Sequence, residues 1–453
     1  MHNLITKLHT PIFKPKQIAL SILLVLTAFF ATWGAGLQQI SSFDLSKIFP
    51  SLAVLLIFYW ALFVRHKIRS FPPIFNYFML FFILHTIVTY AILLPSEFTF
   101  GITQEFQLQG GFVNFHQGNG MAIARFLLFA LYAYAIASLL RTEKMLIAFA
   151  LAYGAGLTIV MMLGGYRVIS GEISDLRLSA GFLNPNLFGT SALMCIFLNL
   201  FVLIKRGLIK STKIFAIGFI IIGILGILLS GSRSCLLGLI VGLFILLIYV
   251  PKIKIKIKLI AGFVIIISLL LCFVPQYVRD NLEVRMNILE KIESDGIGSA
   301  NVRFAIWRDY AKELPKYFFT GIGFHRSKEA TKKSFNTRIN YYLHNRYLHT
   351  LVEFGFIGFL LFLGGLRQLW KRISCYSWQI KISITDSVIL GFFSAWLVMM
   401  MFRSYSGSRD LWIFLGIIAG YGTMKTKVRQ NNLLKKNICS NNCDRSKLKS
   451  DIS

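Results

Sequence analysis

The segment KRGLIKSTK (205–213), IFAIGFIIIGILGILL (214–229), SGSRS (230–234), CLLGLIVGLFILLIYV (235–250), PKIKIKIK (251–258) decides the fold. Two apolar runs, read as helices over about 212–229 and 234–250, stand back to back across a short turn. A helix rises about 1.5 Å per residue, so runs of this length suit a hydrocarbon layer ~30 Å thick. Four basic residues flank the far end of each run, and the turn between the runs holds Arg233 alone. Excess Lys and Arg mark the cytoplasmic flanks of membrane helices, so the pair reads as a hairpin that enters and leaves from that side. Barrel strands are excluded, because the runs are continuous rather than alternating and far exceed ~10 residues.

The pattern extends in both directions. Apolar runs recur at about 17–36, 48–64, 74–94, 119–140, 145–165, 187–204, 258–274, 347–366, 384–402 and 408–424, which with the first pair makes twelve. The 453 residues are 56% hydrophobic with a mean hydropathy of +0.65, and 48 Lys and Arg against 19 Asp and Glu give a net charge of +29. A soluble nucleic-acid binder or a disordered chain with that charge would exceed 15% charged residues and would not carry 42 Phe. The basic residues sort by loop instead: 28 fall in one alternating set that includes both termini. Six fall in the short loops of the other set, at Lys47, Arg167, Arg177, Arg233, Arg403 and Arg409. The expectation is an all-α integral membrane protein with about twelve transmembrane helices, cytoplasmic ends, and one large external loop between helices 9 and 10. Its parts are helices 1–9 in 1–274, the external loop with two short helices in 275–346, helices 10–12 in 347–424, and a basic cytoplasmic tail in 425–453.

Several features are punctuation. No small-x-small cleavage site follows the first run, so that helix is expected to be retained. Cys195, Cys235 and Cys272 lie in apolar runs and Cys375, Cys439 and Cys443 outside them, which is no disulfide framework and, lacking a nearby His, a poor metal site. The external side holds no Asp-x-Asp and no carboxylate cluster, so neither metal nor other cofactor is expected. Lys252, Lys254, Lys256 and Lys258 alternate with Ile, yet between two spans they read as helix ends with snorkelling lysines rather than as a strand.

The candidates for chemistry lie elsewhere. In the external segment Tyr277–Ser294 and Asn301–Leu314 read as two helices, the second stopped by Pro315 and followed by Thr320-Gly-Ile-Gly-Phe-His325. That segment is too small for a catalytic domain and large enough for a lid. An ionisable side chain at membrane depth costs roughly 2.5–3.5 kcal/mol. Arg125 and Glu353 each fall about two turns into a run, and His349, four residues before Glu353, shares its helix face. A polar clamp and a functional role are both open for that pair. His85 has no ionisable partner in its run and reads as a packed or interfacial histidine. Five of the six basic residues in the short external loops are Arg, whereas 20 of the 28 inner ones are Lys. Arg offers a fixed fork of donors suited to phosphate oxygens, so an external anion site is expected. Arg177 precedes Gly181-Phe-Leu-Asn-Pro-Asn186, and Arg233 sits in the tight turn Ser230–Ser234. His344 falls at the entry of helix 10, where the positive partial charge of a helix start favours neutral imidazole, the form a general base needs.

These last residues carry a resemblance. His344-Asn345, nine residues, then Gly355-x-x-Gly358 resembles the signature of the bacterial O-antigen ligase and polymerase superfamily. Arg177 ahead of Asn184-Pro-Asn186, the Ser232-Arg233-Ser234 turn, and Arg303-x3-Trp307 followed by Gly321-Ile-Gly323 agree in order and spacing over about 120–420. The resemblance implies a GT-C-like fold with a periplasmic loop, and the family plan of twelve helices, inside termini and a large external loop after helix nine is the one read above from charge. Gly358 stands where ligases often carry Thr, which leaves ligase and polymerase both open.

The resemblance implies glycosyl transfer on the periplasmic face of the bacterial inner membrane, with undecaprenyl-diphosphate-linked glycan as donor and no nucleic-acid partner. A ligase takes a sugar hydroxyl of lipid A-core as acceptor, and a polymerase takes another lipid-linked glycan. Carried onto this chain, His344 is the base, Arg177 and Arg233 hold the diphosphate, and Asn345, His349, Glu353, Asn184, Asn186 and Arg303 support them. Arg125 is a third diphosphate candidate on burial cost. A diphosphate leaving group gathers charge in the transition state, which fixed Arg forks stabilise without metal. A twelve-span transporter is the rival from another class, although such folds are two matching halves and this chain has one long loop after its ninth run. An oligosaccharyltransferase of similar fold is a further alternative.

Overall fold

The computed structural model describes residues 15–33, 48–63, 71–95, 102–105, 114–117, 119–170, 184–273, 299–327, 343–374, 382–403 and 409–428. The helices are α1 (Pro15–Phe30), α2 (Ile48–Phe63), α3 (Pro73–Ile87, continued by a π-helical turn Val88–Leu93), α4 (Asn119–Leu139), α5 (Glu143–Ile169), α6 (Pro185–Ile204) and α7 (Lys210–Ser230). They continue as α8 (Arg233–Tyr249), α9 (Ile253–Phe273), α10 (Ser299–Tyr317), α11 (Arg346–Ser374) and α12 (Ile384–Met400), and a last helix, α13, covers 409–428. A helix lies at each apolar run read from the sequence. Among the described residues six are long and apolar enough to cross a membrane (α3 with its π turn, α4, α5, α6, α7 and α11), and four more apolar helices have 10–17 residues. The chain is a multi-pass α-helical membrane protein.

Two local features differ from the sequence reading. Residues Ile102–Glu105 and Asn114–Gln117 pair as a short antiparallel ribbon in register Ile102 with Gln117, an addition to a fold expected to be all helix. The lysine-isoleucine run 253–258 is helical, as expected. Pro315 does not stop α10, which runs on to Tyr317, because a proline in the last turn forfeits only one hydrogen bond. The segment Tyr277–Ser294 lies outside the described residues.

The largest difference is in α11. The apolar pattern of 347–366 predicts one continuous helix, but Gly355 adopts φ 65°, ψ −173° and breaks it into 346–354 and 356–374. The second part, at about 1.5 Å per residue, is close to a membrane thickness by itself. The turn after α10 fits into the break. Ile322 and Gly323 donate their backbone N–H to the carbonyls of Val352 and Glu353 at 2.9 and 3.1 Å, and Phe356 N–H donates to Phe318 O at 2.6 Å. A Cβ on Gly355 would strike the Phe319 carbonyl, and one on Gly321 would lie 2.6 Å from Gly355 N.

Helices alternate end for end. At one end Arg409 Nη1 donates to Trp33 O at 2.8 Å, Tyr90 OH donates to Phe324 O at 2.5 Å, and Arg403 Nη1 donates to Thr190 Oγ1. At the other Lys205 pairs with Glu143, Lys425 Nζ lies 3.0 Å from Asp386 Oδ1, and Tyr421 OH donates to the same oxygen at 2.6 Å. Between them α8 and α12 touch backbone to backbone at Gly242 and Gly391, where a Cβ on Gly242 would sit 2.8 Å from Gly391 O. Small residues permit this close approach, which supplies packing that lipid cannot drive by hydrophobicity.

Gly355→Ala should lower the thermal midpoint of the purified protein, since the strain alone costs about 1–3 kcal/mol and the Phe319 carbonyl must also move. Gly218→Ala in α7, whose Cβ would meet nothing within 4 Å, is the control and should keep or slightly raise the midpoint.

Candidate active site

The helix 346–354 brings most of the candidate residues together. Asn345, in front of it, accepts Leu348 N–H through Oδ1 at 3.1 Å and so caps its first turn. His344 precedes this cap with φ 46°, a left-handed conformation uncommon for a residue with a side chain, and its side chain is partly buried. The chain is pinned on both sides of it. Trp307 Nε1 of α10 donates to Leu343 O at 2.7 Å, and Tyr347 OH donates to Leu397 O of α12 at 2.9 Å. Ile306 and Tyr310 pack on Leu343 and Val352, so α10 rests on this short helix through a small core of its own.

His349 and Glu353 do meet, as their spacing predicts, with Nε2 3.0 Å from Oε1. The Glu353 carboxylate is fully buried and also accepts His325 N–H at 2.8 Å, while His349 Nε2 lies 2.7 Å from Ser327 Oγ. Tyr310 OH donates to the Ser327 carbonyl. His325, like His344, has a left-handed backbone, at φ 65°. The pair is therefore a clamp that ties the 321–327 turn to the helix bearing His344. Arg346, two turns before Glu353 on the same face, is 3% exposed and within electrostatic reach of that carboxylate. Its guanidinium carbon lies 5.8 Å from the Phe362 ring centroid. A buried carboxylate needs such a counter-charge, because desolvation would otherwise exceed what its hydrogen bonds return. No sequence motif pointed to Arg346, although the spacing of 346, 349 and 353 marks one helix face.

The other expected residues distribute unevenly. Asn184 caps α6, its Oδ1 accepting Asn186 N–H at 2.8 Å, with Pro185 at the first helical position. Arg233 opens α8 and is exposed. The two helix starts adjoin: Cys235 Sγ of α8 lies 3.8 Å from Thr190 Oγ1 of α6, and Met399 Sδ of α12 lies 3.5 Å from the same Oγ1. Since α12 also accepts the Tyr347 bond, the His344 helix and the Ser230–Ser234 turn share one strut at one end of the bundle. Arg125 is exposed on α4 rather than buried, next to Phe126, whose ring centroid lies 5.1 Å from that of Phe324. Its burial argument thus has no counterpart in the packing, while its level matches the 324–325 turn. Arg303 falls in α10 with its side chain outside the described residues, and Arg177 lies outside them altogether. His85 is packed, as expected, with Nε2 2.7 Å from Thr320 O and its ring beside Phe81 and Phe354.

Residues 217–363 match a family model described as O-Antigen ligase. The matched stretch includes the Ser230–Ser234 turn, α10, the 318–327 turn and His344 through Gly358, and leaves Arg125, Arg177, Asn184, Asn186 and Arg403 outside it. No curated protein matches the chain.

Glu353→Ala should free the turn, because breaking a buried charged pair costs about 3–5 kcal/mol. Hydrogen–deuterium exchange should show the 318–327 amides exchanging at least ~100-fold faster, with a smaller effect for Glu353→Gln, which keeps an acceptor. Unchanged exchange in Glu353→Ala would remove the clamp from the account.

Proposed function

We propose that the chain, whose residues 217–363 match a family model described as O-Antigen ligase, is an O-antigen ligase, an inverting, metal-independent glycosyltransferase of the bacterial inner membrane. It moves a glycan from undecaprenyl diphosphate to a sugar hydroxyl of lipid A-core, with twelve helices in the membrane and the site facing the periplasm. The observation that carries this reading is the placement of His344. It stands in a left-handed conformation before the Asn345 cap, and it is pinned by Trp307 and Tyr347 to the frame that also holds the Ser230–Ser234 turn.

The chemistry follows from that placement. The acceptor O–H proton passes to the His344 imidazole as the oxygen attacks the anomeric carbon. The bond from that carbon to the diphosphate oxygen breaks on the opposite face, and its electron pair leaves with undecaprenyl diphosphate, so the anomer inverts. Arg233 and Arg177 meet the charge that builds on the departing phosphate, with Arg125 as a further contact. Helix α10 and the clamped turn exclude water that would otherwise hydrolyse the donor. Polymerase chemistry is the second reading, favoured by Gly358 in the place where ligases often carry Thr. It uses the same base and leaving group and differs only in the acceptor.

His344→Ala should cut transfer from lipid-linked glycan by about 10²–10⁴-fold at unchanged thermal stability, and full activity would sink the base. Arg233→Ala should cut it too, with the loss concentrated in the donor-dependent step. The lipopolysaccharide gel of a deletion strain separates the readings. Core with no O-chain is the ligase result, core with a single repeat is the polymerase result, and a normal ladder would overturn both.

A further inference from the structure

The cations at the end of the bundle where Lys205 pairs with Glu143 divide into answered and unanswered ones. Lys205 has Glu143, and Lys425 has Asp386. Arg206, Lys210 and Lys213, around the start of α7, form no ion pair or side-chain hydrogen bond among the described residues. The same holds for Lys252, Lys254, Lys256 and Lys258 around the start of α9. The sequence offers them no acid nearby, since no Asp or Glu occurs between Asp175 and Asp280. Helices α7 and α9 begin at the same end, and α9 packs chiefly against α7, so the two groups of cations are neighbours. They ride on ordered turns. Lys213 N–H donates to Ile209 O at 3.4 Å, and Ile255 and Lys256 N–H donate to Lys252 O at 3.0 and 3.2 Å. Lys252 and Lys256, four apart, share one side of α9, and Lys254 and Lys258 share the other.

Orientation in a membrane requires positive charge at this end but no particular arrangement of it. The arrangement here matches an amphiphile. Along from the cations both helices present apolar side chains that the protein leaves exposed, Ile214 and Phe215 on α7 and Ile257 and Val264 on α9. Helix α9 leans on the bundle through Ile255, Leu259, Phe263 and Ile266, each of them only partly buried. A Cβ on Gly218 of α7 or on Gly262 of α9 would meet nothing within 4 Å. These glycines follow Lys210 and Ile253, the first residues of their helices, by ~12 and ~14 Å at about 1.5 Å per residue, so both open at the depth of acyl chains. A surface basic at one end and apolar along two helices fits a lipid that carries a phosphate.

We propose that the starts of α7 and α9 bind an anionic diacyl phospholipid of the adjoining leaflet. Its phosphate lies among Arg206, Lys210, Lys213, Lys252 and Lys256, and its chains run along the two helices as far as Gly218 and Gly262. The lysine stems cover the glycerol region while their ammonium groups meet the phosphate. The lipid supplies the packing that the protein leaves open, holding α9 to α7 by charge at one end and by acyl chains along its length. The site is independent of the donor reading, because it lies at the opposite end of α7 from the Ser230–Ser234 turn.

The test uses the full-length protein in an uncharged detergent and reads thermal stabilisation on titration with phosphatidylglycerol, with phosphatidylcholine of the same chains, and with inorganic phosphate. Phosphatidylglycerol should raise the midpoint, and the other two should not at the same concentration. Each cation removed should weaken binding about fivefold, so Lys210→Gln with Lys213→Gln, and Lys252→Gln with Lys256→Gln, should each lose about 20-fold. Arg367→Gln with Lys371→Gln makes the same change of charge on exposed residues of α11 at the same end and should bind as wild type does. Gly262→Leu keeps every charge and fills the acyl level, and by displacing about two methylenes it should weaken binding about tenfold. If the lysine variants fail to insert or fold, Gly262→Leu carries the test. An equal loss in the Arg367 and Lys371 variant would overturn the site, as the mark of diffuse charge. Wild-type affinity in both lysine variants, or in Gly262→Leu, would overturn it too. Equal stabilisation by phosphatidylcholine would overturn the role of the cations, and equal stabilisation by inorganic phosphate would overturn a lipid as the occupant. No stabilisation by phosphatidylglycerol would overturn the proposal outright.

Discussion

A helix interrupted inside an apolar bundle leaves backbone N–H and C=O groups that neither lipid nor apolar side chains can satisfy, at a cost of several kcal/mol each. The break at Gly355 is such an interruption, and the 318–323 turn answers it group by group, with Ile322 and Gly323 on the carbonyls of Val352 and Glu353 and Phe318 O on Phe356 N–H. Two glycines meet at this junction, Gly321 with φ 72° and Gly355 with φ 65°, and neither has room for a Cβ. The direction of helix 346–354 follows from this fit. So do the positions of His344, Arg346 and Tyr347, because each is a fixed number of turns from the junction. Glu353 then adds charge to the same joint, its buried carboxylate holding His325 N–H and His349 while Arg346 balances it along the helix face.

Lysine and arginine are held differently in the bundle. At the Lys205 and Lys425 end, lysines pair singly with Glu143 and Asp386 and close the structure. At the His344 end, arginines are held through geometry as well as charge. Arg409 donates to Trp33 O and lies 5.0 Å over the Phe49 ring, Arg403 reaches Thr190, and Arg326 Nη1 donates to Ile322 O at 3.3 Å. A guanidinium fixed in advance needs no reorganisation when charge develops on a leaving group, whereas a mobile ammonium must be ordered at that moment. Arginines at the Lys205 end are held in the same way, Arg141 Nε donating to Ser138 O at 2.8 Å and Arg372 Nη2 to Phe71 O at 3.3 Å, so the geometry belongs to the guanidinium rather than to the end.

What the sequence made legible was whatever depends on spacing along one helix. Apolar runs located the helices within a few residues, the four-residue interval gave the His349–Glu353 contact, and Asn184-Pro-Asn186 has the order of a cap followed by a first-turn proline. The Gly355 break was not legible, because Phe354, Phe356 and Ile357 carry the apolar pattern through it and the cause lies 34 residues earlier at Gly321. Thr190, Tyr347 and Arg403 escaped for a related reason. Each acts through a partner on another helix, and no interval within one run encodes that pairing. Arg125 marks the opposite limit: membrane depth inferred from a hydropathy run does not say which face of the helix a side chain takes.

Helix α10 and the turn after it show how little core a helix needs when it is fastened in this way. Helix α10 contributes Ile306 and Tyr310 to a cluster completed by Leu343 and Val352, both of which belong to the His344 segment. A core that small cannot order a helix by itself, since the apolar area buried must exceed about 1–2 kcal/mol of backbone entropy per residue. The order of α10 therefore depends on the 321–327 turn, and the turn depends on Glu353 and on the carbonyls freed at Gly355. His344 stands at the other end of the same nine-residue helix, fixed by Trp307 of α10 through Leu343. Ordering of α10 and placement of His344 are then one event, because the same contacts hold both.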